Sequence, residues 1–311
     1  MVNNYKRHSK HKYRIKKGQK VRAIVTLAVV AVCAVALVAL LLTAVVKIFG
    51  GDSDQQQLAN NENQTVEASK TKEYNLPPTS EKNDLLEIVR TKNGSDKKIC
   101  YLTFDDGPTN DVTPQVLDVL KKYNVKVTFF CLGKMLDANP EIAKREYDEG
   151  HLVANHTYYH NYGDLYASAD SFMKEINMTQ DKIKEITGEE PFKLMRFPGG
   201  SHNAGSYAAV KQEYKKVLKE KGFYYVDWNC LNGDAEATSR STEELINSVK
   251  KTALEDNLIV LMHDASTKAT TPQALGPIIE YLKSKGYEFR RLDEIDYYDM
   301  GATDDENSMI L

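Results

Sequence analysis

From about Lys98 onward the chain alternates between two hydrophobic periods. Short apolar runs rich in β-branched and aromatic residues occupy 99–104, 125–132, 152–155, 194–197, 223–228, 258–262 and 287–292. Their length and composition are those of strands buried on both faces. Between them, 112–123, 168–187, 204–221, 241–255 and 272–285 place apolar side chains at helical spacing, such as Val116, Leu117 and Leu120, or Phe172, Ile176, Met178 and Ile183. Gly150, Gly188, Gly222 and Gly286 stand where helices would stop, and glycine accepts the left-handed backbone that closes a helix end. Repeated strand–helix alternation predicts an α/β domain built on a parallel sheet, closed as a barrel or doubly wound. The pattern alone leaves closure open.

Upstream the periodicity changes twice. Residues 23–46 carry no charge and no strong helix breaker and are rich in Ala, Val and Leu, enough for a helix to span a bilayer. Ala34-Val35-Ala36 and Leu42-Thr43-Ala44 are small-residue triplets of the kind cleaved after a signal peptide. Signal-peptide apolar cores are only about 7–15 residues, however, so an uncleaved anchor is expected. Residues 47–97 are mostly polar and predict a flexible linker, although 84–89 could form a helical turn or a short strand. The organisation expected is thus a head at 1–22, a transmembrane helix at 23–46, a linker at 47–97, a folded domain at 98–295 and a polar tail at 296–311.

Charge sharpens that topology. The formal net charge of −3 hides nine Lys and Arg among residues 1–22, leaving 32 basic against 44 acidic groups, or −12, on the remainder. A basic flank holds the N-terminus in the cytoplasm and puts the domain outside, in a single-pass cell-membrane protein. The acidic remainder argues against nucleic acid as a partner. Cys33 falls in the apolar span, whereas Cys100, Cys131 and Cys230 sit in strand-like runs as small hydrophobes. No zinc-type cysteine spacing occurs, and pairing is not readable from the spacing.

Candidate chemistry collects where the strand-like runs end. Asp105 and Asp106 close the first, in Thr103-Phe104-Asp105-Asp106-Gly107-Pro108; adjacent carboxylates are most easily sustained beside a cation or a shared proton. His156-Thr157-Tyr158-Tyr159-His160 follows the third run, and in a helical turn its two imidazoles would share a face and reach one ion. Two histidines plus one carboxylate leave room for water and substrate, as catalytic metal sites require. Arg196-Phe197-Pro198-Gly199-Gly200 offers an arginine able to orient a carboxylate, then a bend whose N–H groups could face an oxyanion. Asp227-Trp228 carries the sole tryptophan, as core packing or as a flat face for a sugar, and residues 258–264 deliver His263 at a strand end.

These motifs, in this order, resemble the NodB-homology polysaccharide deacetylases, carbohydrate esterase family 4, over roughly 98–292. The match rests on the TFDDGP, HxxxH, arginine-containing and LxH segments at 103–108, 156–160, 196–200 and 261–263. The resemblance implies a distorted (β/α) barrel and an N-deacetylase acting on an N-acetylhexosamine polymer, with peptidoglycan the substrate within reach of a tethered outer domain. It assigns a divalent metal, Zn²⁺ first with Co²⁺ or Mn²⁺ acceptable, to Asp106, His156 and His160. It makes Asp105 the general base held by Arg196, His263 the general acid, and the Gly199 N–H an oxyanion donor. Many members carry an aromatic residue where Gly199 stands, and their Asp-Trp pair is displaced here, so Asp234 is assigned to His263 with Asp227 as the alternative. Competing readings are O-deacetylation of acetylxylan or a similar polymer, a non-catalytic wall-binding module, and magnesium phosphotransfer. Intact Asp105 and His263 weigh against the binding module, and the histidine pair weighs against magnesium.

Overall fold

A computed structural model describes residues 74–91, 97–202, 205–237 and 239–298 of the chain. The expected head, span and tail therefore lie outside the described residues, apart from 296–298 of the tail. Among the described residues no helix is long and apolar enough to cross a membrane.

Eight strands build one parallel sheet: β1 (Lys98–Asp105), β2 (Thr128–Cys131), β3 (Leu152–Asn155), β4 (Leu194–Met195), β5 (Tyr224–Tyr225), β6 (Cys230–Leu231), β7 (Asn257–His263) and β8 (Tyr287–Phe289). Their order is β5-β4-β3-β2-β1-β7-β6, and β8 pairs with the start of β1. The helices are α1 (Leu85–Arg90), α2 (Thr113–Tyr123), α3 (Gly133–Ala138), α4 (Pro140–Asp148), α5 (Tyr162–Leu165), α6 (Ala169–Thr187), α7 (Ala208–Glu220), α8 (Thr242–Thr252) and α9 (Thr271–Ser284). Among the described residues β5 and β6 form no ladder with each other, so the expected barrel is a parallel half-barrel. The β5 edge is instead taken by the upstream segment: Asp84 bridges Tyr225, and the Tyr225 N–H donates to the Asn83 carbonyl at 2.9 Å. Covering an edge with other backbone satisfies its groups as strand closure would.

The same segment changes the linker expectation. Leu76, Leu85, Leu86, Ile88 and Val89 are buried with Ile99, Tyr101, Phe130 and Ile259, so packing begins upstream of Lys98. Asp84 caps α1 by accepting from the N–H groups of Leu86 and Glu87. The predicted glycine stops hold, with Gly150, Gly188, Gly222 and Gly286 all at positive φ. Strand β6 and the short helices α3 and α5 were not expected from the sequence pattern, and of α4 only its stop at Gly150 was. The three described cysteines are buried and free.

Strand alternation decides what faces the chemistry. Cys100, Leu102 and Phe104 pack with Leu258, Val260 and Met262 in the core beneath α2, α8 and α9. Ile99, Tyr101, Thr103 and Asp105 point to the other face, as do Ile259, Leu261 and His263, because successive strand side chains alternate. That face is apolar at the N-terminal end of the strands and polar at the C-terminal rim.

Candidate active site

Register brings the rim together. Asp105 at the end of β1 lies opposite His263 at the end of β7 and opposite Phe130 of β2. The chain turns after Asp105 through Asp106, whose φ of 78° is left-handed. Gly107 follows against a buried wall: a Cβ added there would stand 2.1 Å from the Asp264 carboxylate. Glycine is thus required by close approach.

Asp106, His156 and His160 present ligand atoms that all lie within 4.8 Å of one another. Asp106 Oδ1 is 3.6 Å from Nε2 of each imidazole. The histidine loop is not the expected helical turn. Thr157 and His160 have φ of 68° and 60°, and Glu175 of α6 holds the bend by accepting from the N–H groups of Tyr158 and Tyr159, both at 3.0 Å. Asn155 Oδ1 accepts from the Thr157 N–H at 2.9 Å. Distant hydrogen bonds therefore bring the imidazoles to one point, where the sequence spacing had suggested a helix face.

The donor set fits a divalent metal. His156 Nδ1 lies 2.9 Å from the Arg196 carbonyl, which can only accept, so that nitrogen carries the proton and Nε2 keeps its lone pair for the site. Burial pushes His156 down to about 3, holding the imidazole neutral as a ligand must be. Two imidazoles and one carboxylate suit zinc and leave positions for water and substrate.

Asp105 remains outside that triad and belongs to Arg196. The guanidinium, 0 % exposed, donates Nη1 to Asp105 Oδ1 at 2.8 Å and to Thr103 Oγ1 at 2.7 Å. Its Nε donates to the Val226 carbonyl at 3.2 Å, and its carbon lies 4.3 Å from the centroid of the Phe130 ring. Burial raises the Asp105 pKa, and the Arg196 charge opposes it.

His263 takes Asp234, not Asp227. Nδ1 is 2.7 Å from Asp234 Oδ1, and the His263 N–H donates to Oδ2 at 2.9 Å. Burial alone would lower this imidazole, but the Asp234 hydrogen bond and the charges of Asp234, Asp105 and Asp106 prevail and push it up to about 9. Asp227 serves the Pro-Gly-Gly segment instead, accepting from the Ser201 N–H at 2.8 Å and from its hydroxyl. Trp228 packs against that segment, its ring 2.9 Å from where a Gly200 Cβ would stand. Gly199 and Gly200 have φ of 70° and 78°, a backbone that glycine adopts without strain.

Three buried residues at this rim escaped the sequence reading. Glu175 and Lys211 lie on the inward faces of α6 and α7, and the signal that marks them is a charge at a position the helical period assigns to the core. Asp264 is 1 % exposed and donates nothing visible to the period, since it follows the strand. Its Oδ2 accepts from Thr113 Oγ1, and burial together with nearby Asp106 and Asp105 pushes it up to about 7.

Comparison with known proteins finds related chains. The sequence profile of the polysaccharide deacetylases matches residues 92–217. A peptidoglycan-N-acetylglucosamine deacetylase of Bacillus cereus is 34% identical over 203 residues, covering 65% of this chain and 89% of that protein. The peptidoglycan-N-acetylmuramic acid deacetylase PdaA of Bacillus subtilis is 32% identical over 217 residues, covering 69% and 76%. Among solved structures, a Streptococcus mutans CE4 esterase superposes with a TM-score of 0.60 at 30% identity, covering 67% of this chain and 90% of its own.

Proposed function

The chain belongs to the polysaccharide deacetylase family of carbohydrate esterase family 4, NodB-homology type, and from that premise we propose that it removes N-acetyl groups from peptidoglycan outside the membrane. The observation that carries the reading is the division of labour at the rim. Asp106, His156 and His160 form one ligand set, while Asp105 with Arg196 and His263 with Asp234 stand beside it as two separately tuned proton-transfer groups. A binding module needs neither.

Asp106, His156 and His160 would hold the divalent ion, zinc by its donor set, and that ion would supply polarisation of the acetyl carbonyl and acidification of a water. Asp105, fixed by Arg196, accepts the proton of the attacking water. The Gly199 N–H donates to the oxygen on which charge develops. His263, kept protonated by Asp234, delivers a proton to the departing amine, so the products are acetate and a free amino sugar. The pairing of an acid near 9 with a buried carboxylate base separates the two roles.

Location supports the polymer. In this reading the apolar segment 23–46 with its basic flank would anchor the chain in the cell membrane and put the domain within reach of the wall. Relatives named for both N-acetylglucosamine and N-acetylmuramic acid sit at similar identity, so the sugar is left to experiment. The test is acetate release by the zinc-loaded full chain from peptidoglycan and N-acetylglucosamine oligomers, with acetylxylan in parallel. Release from acetylxylan alone would transfer the chemistry to ester substrates; release from none would end the proposal.

A further inference from the structure

Lys211 is 4 % exposed, yet its ammonium has no carboxylate within salt-bridge distance among the described residues. It donates instead to two carbonyls, Pro198 O at 3.1 Å and Gly200 O at 2.6 Å. The Tyr166 hydroxyl, also buried, donates to the same Pro198 oxygen at 3.1 Å, and the Lys211 ammonium lies 5.0 Å from the Tyr166 ring centroid. Burying an ammonium is expensive unless its bonds do something in return.

Those two carbonyls bracket Gly199. Phe197 to Gly200 is a turn closed by the Gly200 N–H to the Phe197 carbonyl at 2.8 Å, with proline second and a positive φ of 70° third. This is the type II arrangement, which differs from type I by a flip of its central peptide. The central peptide here is Pro198–Gly199, and it is trans. In a planar trans peptide the C=O and N–H point in opposite directions. Fixing the Pro198 oxygen towards Lys211 and Tyr166 therefore fixes the Gly199 N–H away from them, and that N–H meets no protein acceptor among the described residues. The rings of Tyr162 and Tyr166 lie 5.9 Å apart and that of Tyr162 lies 5.4 Å from His160, so this turn neighbours the ligand set, and the deacetylase reading makes the open N–H side the one that faces substrate.

We propose that Lys211, with Tyr166, is a positioning residue that locks the Pro198–Gly199 peptide in one flip state and so aims the Gly199 N–H as the oxyanion donor. The proposal rests on the deacetylase reading for its purpose, but the flip state can be read without turnover. A positive charge behind the Pro198 oxygen also polarises the peptide, strengthening the N–H at its other end. Asp227 holds Ser201, the residue after the turn, so the far end of the turn is tied down independently of Lys211.

The test uses the full chain with Lys211→Met, Lys211→Arg and Tyr166→Phe. In the structure of Lys211→Met the Pro198 carbonyl is expected to rotate and Gly199 to leave positive φ; a turn that stays as it is overturns the proposal whatever the substrate. With zinc and N-acetylglucosamine oligomers, loss of one oxyanion donor lowers kcat by about 10²–10³, so a misaimed one should lower it by about 10–100-fold. KM should stay within about threefold and metal content should not change, because the donor acts on charge that appears only in the transition state. Lys211→Arg should restore most of kcat, as its fork can reach both carbonyls. Unchanged kcat in Lys211→Met, or a loss confined to KM, overturns the proposal. Should Lys211→Met fail to fold, Tyr166→Phe removes a single hydroxyl: a kcat reduced about threefold or more, within the range of one lost hydrogen bond, supports the lock, and an unchanged kcat rejects it. If the unaltered chain releases no acetate, the proposed function fails, and the flip state alone decides this inference.

Discussion

Removing the Arg196 guanidinium should make the stability of this domain depend on pH in a way that identifies Asp105 as the group left behind. Arg196→Met keeps a side chain of similar reach but strips Asp105, itself 3 % exposed, of the guanidinium that is its only positively charged hydrogen-bond donor among the described residues. Breaking a buried pair by deleting one partner destabilises by about 3–5 kcal/mol. The carboxyl escapes by taking a proton, so its folded pKa, already raised by burial, rises further. A folded pKa above the unfolded one favours the native state most below the unfolded value, and that contribution is lost as pH climbs towards the folded value. Keeping Asp105 neutral costs at most about 1.36 kcal/mol per pH unit above its unfolded pKa of about 3.9, hence about 1.5 kcal/mol at pH 5 and about 5 kcal/mol at pH 7.5. Urea unfolding of both chains with chelator present, at the two pH values, gives the comparison. The loss relative to the unaltered chain should be about 3–5 kcal/mol at pH 7.5 and should shrink by more than half at pH 5. Adding Asp105→Asn to the arginine variant should recover part of the loss at pH 7.5. A loss equal at both pH values, or a double variant no more stable than the single one, would show that Arg196 acts through packing on Phe130 and not through the carboxylate.

Other expectations are shorter to state. Asp106, His156 or His160 changed to Ala should lose metal content and acetate release together, whereas Asp105→Asn should keep its metal, measured by elemental analysis, and lose turnover; a fully active Asp105→Asn would refute the base assignment. Asp234→Asn removes the charge that lifts His263 to about 9, so the alkaline limb of the kcat profile should fall towards the ordinary 6.5. The stability that the His263 charge contributes is complete below 6.5 and disappears as pH rises through about 9, so the difference between Asp234→Asn and the unaltered chain should shrink above that value to what the backbone and hydroxyl hydrogen bonds of Asp234 contribute. Gly107→Ala would press a methyl group into the buried Asp264 carboxylate and should cost about 1–3 kcal/mol in thermal unfolding, with no effect if the wall is softer than its hydrogen bond to Thr113 implies.

What the sequence determined by itself was the class of fold and the inventory of the site. Strands buried on both faces show as continuous apolar runs, helices show as a 3.6-residue period, and a residue placed just after an apolar run must sit at the C-terminal rim of a parallel sheet. That is why the sequence alone singles out Asp105, Asp106, His156, Arg196 and His263. Partnership was another matter. Asp227 and Asp234 look equally available to His263 along the chain; Asp234 wins because β6 pairs beside β7, a two-residue strand too short to leave a period. The histidine bend depends on Glu175, the open β5 edge on Asn83 and Asp84, and the flip of the Pro198–Gly199 peptide on Lys211. Each of these is a hydrogen bond between groups far apart in sequence, fixed by the packing of whole helices and strands. Local patterning says which face a residue takes, and only the tertiary structure decides what waits for it there.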